Sequence, residues 1–182
     1  SHIFAPHPDI RLQQLNSEGL RIMTGMFAQR VSIEQIEEGF ELAPKFDADG
    51  LLPVVTTSAK TGEVLMLGYM TEEALKLTIQ TGEAHYYSRS RKKLWRKGAD
   101  SGLLQIVKEI RVDDDQDAVW ISVEIDGPYG EASCHVGYRS CFYRSVAVGQ
   151  GEDKPAKLEF EEDELVFDPK EVYGDAPNPT QV

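Results

Sequence analysis

Apolar and polar positions follow two rhythms along this 182-residue chain, and the change from one to the other marks its elements. From Ser17 to Arg30, Leu20, Ile22, Met23, Met26 and Phe27 recur at roughly helical spacing and predict a helix. Ser32, with Gln35 three positions on, fits a capping box for a second helix carrying Ile33, Ile36 and Phe40. After Phe46 the apolar runs shorten. FDADGLLPVVTT (46–57) reads as a turn at Asp49-Gly50 and then a strand, and KTGEVLMLGYM (60–70) as a turn and a more apolar strand, which together predict a hairpin. Thr71 has the character of an N-cap, with Glu72 and Glu73 in the first turn, Leu75 and Ile79 on one face and Gly82 past the end, so a helix is predicted between them. Further strands are predicted at 84–88, 104–112, 118–125 and 140–148, separated by turns containing Gly, Asp and Pro. Strands in near succession with few helices indicate an α+β fold, mainly antiparallel sheet, and not a βαβ alternation.

The pattern divides the chain into a helical extension at 1–45, a main domain at 46–148 and a C-terminal region at 149–182. The last of these opens with GQGEDKP, a linker-like stretch, and then turns acidic, with Pro169, Pro177 and Pro179 and one short apolar group at Leu158, Phe160, Leu165, Val166 and Phe167. That composition favours a loosely packed tail over a docked appendage. Charge sharpens the division. The formal net charge is −12, yet residues 150–182 carry ten acids against three lysines, so more than half of the excess sits in the tail. Overall acidity argues against general nucleic-acid binding. No run approaches 18 apolar residues and no charged-then-apolar signal segment opens the sequence, so a cytoplasmic protein without a membrane span is expected. Two cysteines are too few for a disulfide framework, and a close pair reads as metal ligands or as two core residues.

Three segments carry the candidate chemistry. In HYYSRSRKKLWRKGADSG (85–102), six cations at Arg89, Arg91, Lys92, Lys93, Arg96 and Lys97 are interleaved with Ser88, Ser90 and Trp95. Guanidinium forks and hydroxyls suit phosphate oxygens and an indole suits a base, although a solvated strand edge has the same composition. A single-stranded RNA groove also uses these ingredients. In DDDQD (113–117), an extended backbone would put Asp113, Asp115 and Asp117 on one face, where a hard cation such as Mg2+ would hold them, and Asp114 on the other. The same run suits a polar hairpin turn that needs no metal. A calcium loop is disfavoured, because Ala118 stands where the sharp turn needs glycine. In SCHVGYRSCFYR (133–144), Cys134 and Cys141 could ligate zinc, with Asp114, His135 or His85 completing the set, or could be buried thiols. A Cys–His nucleophile pair is disfavoured because adjacent residues seldom point at each other.

Taken in order, FDADGLLPVV (46–55), TGEVLMLGYMTEEAL (61–75), TGEAHYYSRSRKKLWRKGADSG (81–102), the DxDxD at 113–117 and CHVGYRSCFYR (134–144) resemble the phosphoribosyl-AMP cyclohydrolases of histidine biosynthesis. The resemblance implies an intertwined homodimer with sites at the subunit interface, and hydrolytic opening of the N1–C6 bond of N1-(5-phosphoribosyl)-AMP. It assigns Mg2+ to Asp113, Asp115 and Asp117, and a transition metal to Cys134 and Cys141 together with the residue at 114. That family holds zinc with three cysteines, and here the third position is Asp114. A carboxylate is a harder ligand, so Mn2+ or Fe2+ becomes an alternative to Zn2+, as in a zinc-sparing paralogue. His135 and His85 are the implied proton-transfer groups. Ser88, Arg89, Ser90, Arg91, Trp95, Lys97, Ser101 and Arg139 are the implied substrate contacts, with Arg89, Arg91 and Lys97 on phosphates and Trp95 near the base. Thr57-Ser58, Tyr87, Asp100 and Val136 depart from the family pattern; Thr57-Ser58 and Asp100 keep open a hydrolase of another purine nucleotide, and a non-catalytic metal- or RNA-binding protein is favoured only if the cations at 89–97 are exposed and uncoupled from the metal residues.

Overall fold

A computed structural model describes residues 25–182. Its elements in chain order are α1 (Ile33–Glu38), β1 (Leu52–Ser58), β2 (Val64–Met70), α2 (Glu72–Thr81), β3 (His85–Ser88), β4 (Lys93–Arg96), β5 (Leu104–Val112), β6 (Val119–Asp126), β7 (Arg144–Val146), β8 (Leu158–Phe160) and α3 (Pro169–Tyr173). The predicted hairpin forms, with β1 and β2 antiparallel from Leu52 opposite Met70 to Thr57 opposite Val64. β6 lies parallel to β1 on its other side, and β5 closes the sheet antiparallel to β6, in the order β2-β1-β6-β5. The architecture is α+β and mainly antiparallel, with that one parallel pair at its centre. Among the described residues no helix is long and apolar enough to cross a membrane.

The core follows from alternation. Leu52 and Val54 of β1, Leu65, Met66 and Met70 of β2, and Val119, Ile121 and Val123 of β6 are buried in one cluster, closed by Leu75 of α2 and Tyr86 of β3. α2 has the predicted ends: Thr71 Oγ1 accepts from the Ala74 amide at 3.2 Å, and Gly82 stops the helix at φ +71°. Tyr86 reaches the core because β2 leaves room for it. A Cβ built on Gly68 would stand 2.7 Å from the Tyr86 ring, so glycine is required there by close approach. Around the Tyr86 hydroxyl is a buried polar chain: it donates to Gln105 Oε1 at 2.6 Å and takes the Thr56 hydroxyl at 2.7 Å.

Several expectations change. The first predicted helix falls mostly outside the described residues, and 25–30 is not helical. α1 is only six residues long; Ser32 Oγ accepts from the Gln35 amide, but the Gln35 side chain returns to the Val31 amide at 2.7 Å instead of that of Ser32. Ile36 alone is buried on it, whereas Ile33 is 75% and Phe40 104% exposed. The basic segment contains a strand, β4, which pairs with β3 from His85 opposite Arg96 to Ser88 opposite Lys93. Of the strand expected at 140–148, only Arg144–Val146 forms, pairing with β8.

The C-terminal region is docked, contrary to its composition. Phe167 is buried beside Leu103 and Ala132, with Val166, Val172 and Tyr173 packed around them. Burying such a phenylalanine contributes roughly 2 kcal/mol. The Val166 amide donates to Gly137 O at 2.8 Å. Gly137 has φ +105°, and a Cβ there would meet Phe167 O at 2.4 Å. Few apolar residues suffice because Phe167 packs directly against Leu103 and Ala132.

Candidate active site

The cysteine segment folds into a loop closed by its own backbone. Ser133 donates to Arg139 O at 2.9 Å, Cys134 to Tyr138 O at 3.2 Å and Gly137 to Cys134 O at 3.0 Å, while Cys141 donates to Leu65 O of β2 at 2.7 Å. The loop brings the two thiols into hydrogen-bond contact. That bond from Cys141, with help from the Val136 amide and the Lys97 charge, outweighs burial and lowers the Cys134 pKa to about 6. Cys141 is raised, first by the same hydrogen bond and then by burial. Cys134 thus gives up its proton readily while Cys141 holds its own, a donor pair suited to a thiophilic cation once both protons leave. Lys97 lies buried beside them with Nζ donating to Ser133 O at 2.7 Å. Burial lowers its pKa, and the cysteines oppose that effect.

Cys141 opens onto a cavity of about 750 Å3. The end of β3, the β3–β4 turn and β4 supply Ser88, Arg91, Trp95 and Lys97 to its wall, and Asp100 and Ser101 follow. His135 faces it from the cysteine loop. Trp95 is held in place by Tyr86, with ring centroids 5.8 Å apart, and carries Lys97 Nζ 4.8 Å over its face. Burial lowers the pKa of His135, a hydrogen bond from its ring to Asn178 Oδ1 opposes this, and the Lys97 and Arg91 charges add to the lowering. The remaining wall is the C-terminal region: Pro169, Lys170, Tyr173 and Gly174, then residues 176–179. A second, shallower hollow of about 710 Å3 near the start of α2 contains no predicted site residue.

Seven predicted residues therefore share one cavity: Ser88, Arg91, Trp95, Lys97, Ser101, His135 and Cys141. Others lie elsewhere. Arg89 stacks on Tyr69, 4.0 Å from the ring centroid, and Ser90 Oγ lies 3.4 Å from Ser88 Oγ on the turn. His85 is buried with Nδ1 2.8 Å from Glu83 O. Arg139 is surrounded by carboxylates: it donates to Glu162 at 2.8 Å, pairs with Glu131 at 3.4 Å and also pairs with Glu63. It braces the cysteine loop from behind.

The acidic run is the turn between β5 and β6, and its carboxylates still converge. One oxygen each from Asp113, Asp115 and Asp117 lies within 4.8 Å of the others. Asp113 Oδ1 accepts the Asp117 and Ala118 amides at 3.0 and 3.1 Å. Partial burial works against ionisation of Asp113, but these bonds outweigh it and its pKa falls. Hydrogen bonds that protonated Asp117 gives to Asp115 and Asp113 favour its protonated form, raising its pKa to about 6. Three carboxylate oxygens that close, one of them from a group with a raised pKa, make a donor set that fits a hard divalent cation. Gln116, whose role the sequence did not reveal, occupies the spacer position in the left-handed region at φ +56°.

Asp114 is far from the cysteines within one chain. Gln105 Nε2 reaches Ser133 Oγ at 3.4 Å, so the cysteine loop sits at the start of β5, whereas Asp113–Asp117 follows its end. Eight residues of strand from Gln105 to Asp113 span about 26 Å. The residues missed by sequence reasoning belong to Gln105 and to the tail, Lys170, Tyr173 and Asn178. Nothing in an acidic, proline-containing stretch marked them.

The Phosphoribosyl-AMP cyclohydrolase family model matches residues 66–143, which include the β3–β4 hairpin, the acidic turn and the cysteine loop. A phosphoribosyl-AMP cyclohydrolase of Nitrobacter winogradskyi is 56% identical over 142 residues, covering 78% of this chain and 94% of that protein. The chain belongs to the phosphoribosyl-AMP cyclohydrolase family. Two proteins of that name from Rhodopseudomonas palustris agree: strain TIE-1 at 56% identity over 144 residues, covering 79% of this chain and 92% of that protein, and strain BisB5 at 52% over 151 residues, covering 83% and 99%. This cyclohydrolase-family chain is the longer partner in each comparison, and the tail wall of the cavity lies beyond the span matched by the family model. By family it is a hydrolase of a cyclic amidine, of the kind used in histidine biosynthesis.

Proposed function

We propose that the protein hydrolyses the N1–C6 bond of N1-(5-phosphoribosyl)-AMP. The observation that carries this reading is the convergence of Arg91, Trp95, His135 and Cys141 on one cavity whose size suits a nucleotide. In the reaction the oxygen of water bonds to C6, which becomes a carboxamide carbon, and the C6–N1 bond breaks. N1 departs as the amidine nitrogen bearing the phosphoribosyl group and takes a proton. Trp95 is fixed to pack on the base, Arg91 offers a guanidinium to phosphate, and Lys97, buried between Trp95 and the cysteine loop, supplies positive potential without leaving Ser133. His135 hands the proton on to N1, because its imidazole faces the cavity from the cysteine loop and burial lowers its pKa, which favours release of a proton once it is taken up.

Cys134, Cys141 and Asp114 would hold a transition metal, and Asp113, Asp115 and Asp117 would hold Mg2+. The transition metal supplies Lewis acidity that lowers the pKa of water. Because Asp114 and the cysteines lie at opposite ends of β5, the set is completed between two copies of the chain, which makes a homodimer part of the proposal. The carboxylate at 114 shifts preference from Zn2+ toward Mn2+ or Fe2+. The test is absorbance of the ring-opened product with each metal in turn, beside elemental content of the purified protein. Turnover with Mn2+ or Fe2+, moving toward Zn2+ in Asp114→Cys, is expected. No turnover with any of the three overturns the reading.

A further inference from the structure

The C-terminal wall of the cavity is built, not draped. Phe167 and Val166 anchor it, Asp168 caps α3 by accepting the Lys170 amide at 2.9 Å, and Tyr173 engages the Ser101 side chain. Farther on, Asn178 Oδ1 and Thr180 Oγ1 lie 3.1 and 3.3 Å from His135 Nε2. A segment fixed at both ends presents its remaining side chains to whatever occupies the cavity.

Charge on the wall points to what that occupant carries. The protein has a net charge of −12, and the tail contains most of that excess, yet the cavity wall holds three cations, Arg91, Lys97 and Lys170, against one carboxylate, Asp100. Lys97 is already committed to Ser133 O. Arg91 and Lys170 make no ion pair among the described residues, and they stand on different walls, one on the β3–β4 turn and one on α3. Unpaired cations held in an acidic surface are an anion site in waiting, since each would otherwise be neutralised by a neighbouring carboxylate.

We infer that Lys170 is a phosphate-binding residue supplied by the tail, so that the cavity takes a doubly phosphorylated nucleotide with Arg91 on one phosphate and Lys170 on the other. This rests on the proposed substrate, which carries a phosphate at each end. The tail is then part of the specificity of the enzyme: a singly phosphorylated purine nucleotide leaves one of the two cations unanswered.

The inference is tested in the full-length protein by Lys170→Ala and Lys170→Arg. Lys170 is exposed, so both variants keep the wild-type melting temperature. Lys170→Ala is expected to raise KM about tenfold with kcat within twofold, and Lys170→Arg to restore KM. Binding is measured separately with AMP, ribose 5-phosphate and adenosine, which represent the two phosphorylated halves and a phosphate-free control. Lys170→Ala should weaken one phosphorylated half about tenfold, Arg91→Ala the other, and neither should change adenosine. An unchanged KM in an active enzyme, or phosphate-half affinities that ignore Lys170, overturns the inference and leaves the ring-opening reaction standing. An inactive wild type whose AMP or ribose 5-phosphate affinity still depends on Lys170 sinks the reaction and supports the phosphate contact.

Discussion

Mixing two inactive variants should restore activity to a calculable level. Asp114→Ala removes the ligand at the turn end of β5, and Cys141→Ser removes one at the other end. Eight strand residues separate these ends by about 26 Å, and side chains reach in by a few ångströms each, whereas donors on one tetrahedral cation lie under about 4 Å apart. One chain cannot close that gap without unravelling the hairpin, because β5 is held to β6 from Leu104 opposite Asp126 to Val112 opposite Val119. On the metal set proposed above, each site would draw Asp114 from one copy and the cysteines from the other. When the variants are mixed in equal amounts and allowed to exchange subunits, half of the dimers are mixed. In each mixed dimer one site carries both lesions and the other none. Activity should return to about a quarter of wild type, from a background near zero for either variant alone, in the absorbance assay at saturating metal. Recovery should follow subunit exchange, with the mixed dimer isolated by two different tags holding about half the activity of wild type. No recovery from an exchanged mixture refutes a shared site and requires a third metal ligand near the cysteines in the same chain.

Three further outcomes follow from the packing and electrostatics. Tyr86→Phe leaves Gln105 Oε1 and the Thr56 hydroxyl without a partner in the core, which should cost about 2 kcal/mol and lower the melting temperature by roughly 4–8 °C, measured by calorimetry. Gly137→Ala puts a Cβ against Phe167 O at a positive φ, so the tail should become sensitive to limited proteolysis and KM should rise while the sheet keeps its circular dichroism. Asp117, with a pKa raised to about 6, binds its proton more tightly in the folded metal-free protein than in the unfolded chain, so its contribution to stability is present below the ordinary carboxylate range and lost as pH rises through 6. Mg2+ held as proposed by Asp113, Asp115 and Asp117 would compete with that proton. Its gain in melting temperature should be small at pH 5 and larger at pH 7.5, and an equal gain at both places the ion elsewhere.

The elements with strong local signals were legible in the sequence: the β1–β2 hairpin from its turns, and α2 from Thr71, its acidic first turn and Gly82. Local chemistry determines these elements, so it also reveals them. β4 was hidden because it is only four residues long and lies inside a run of cations, and only pairing with β3 makes Lys93–Arg96 a strand. For the acidic run, the choice between a strand face and a turn was a false opposition. A turn brings Asp113, Asp115 and Asp117 together as well as a strand would, because Gln116 adopts a left-handed conformation. The tail was misjudged because apolar content measures how much a segment can bury, not whether a groove with the shape of Phe167 awaits it. Its cavity residues were invisible for the same reason.

Gln116 also fastens two distant parts of the chain together. Its side chain takes the Ala43 amide at 2.8 Å and gives hydrogen bonds to Ile36 O and Glu41 O at 3.1 and 3.3 Å, while its own carbonyl takes the Lys45 amide at 2.8 Å. The spacer of an acidic motif thus works as a clasp on residues 36–45, a stretch in which only Ile36 and Ala43 are buried. A cation that stiffens the turn must slow the opening of that clasp. The amides of Ala43 and Lys45, which touch no carboxylate of the turn, would then exchange with deuterium more slowly when the cation binds.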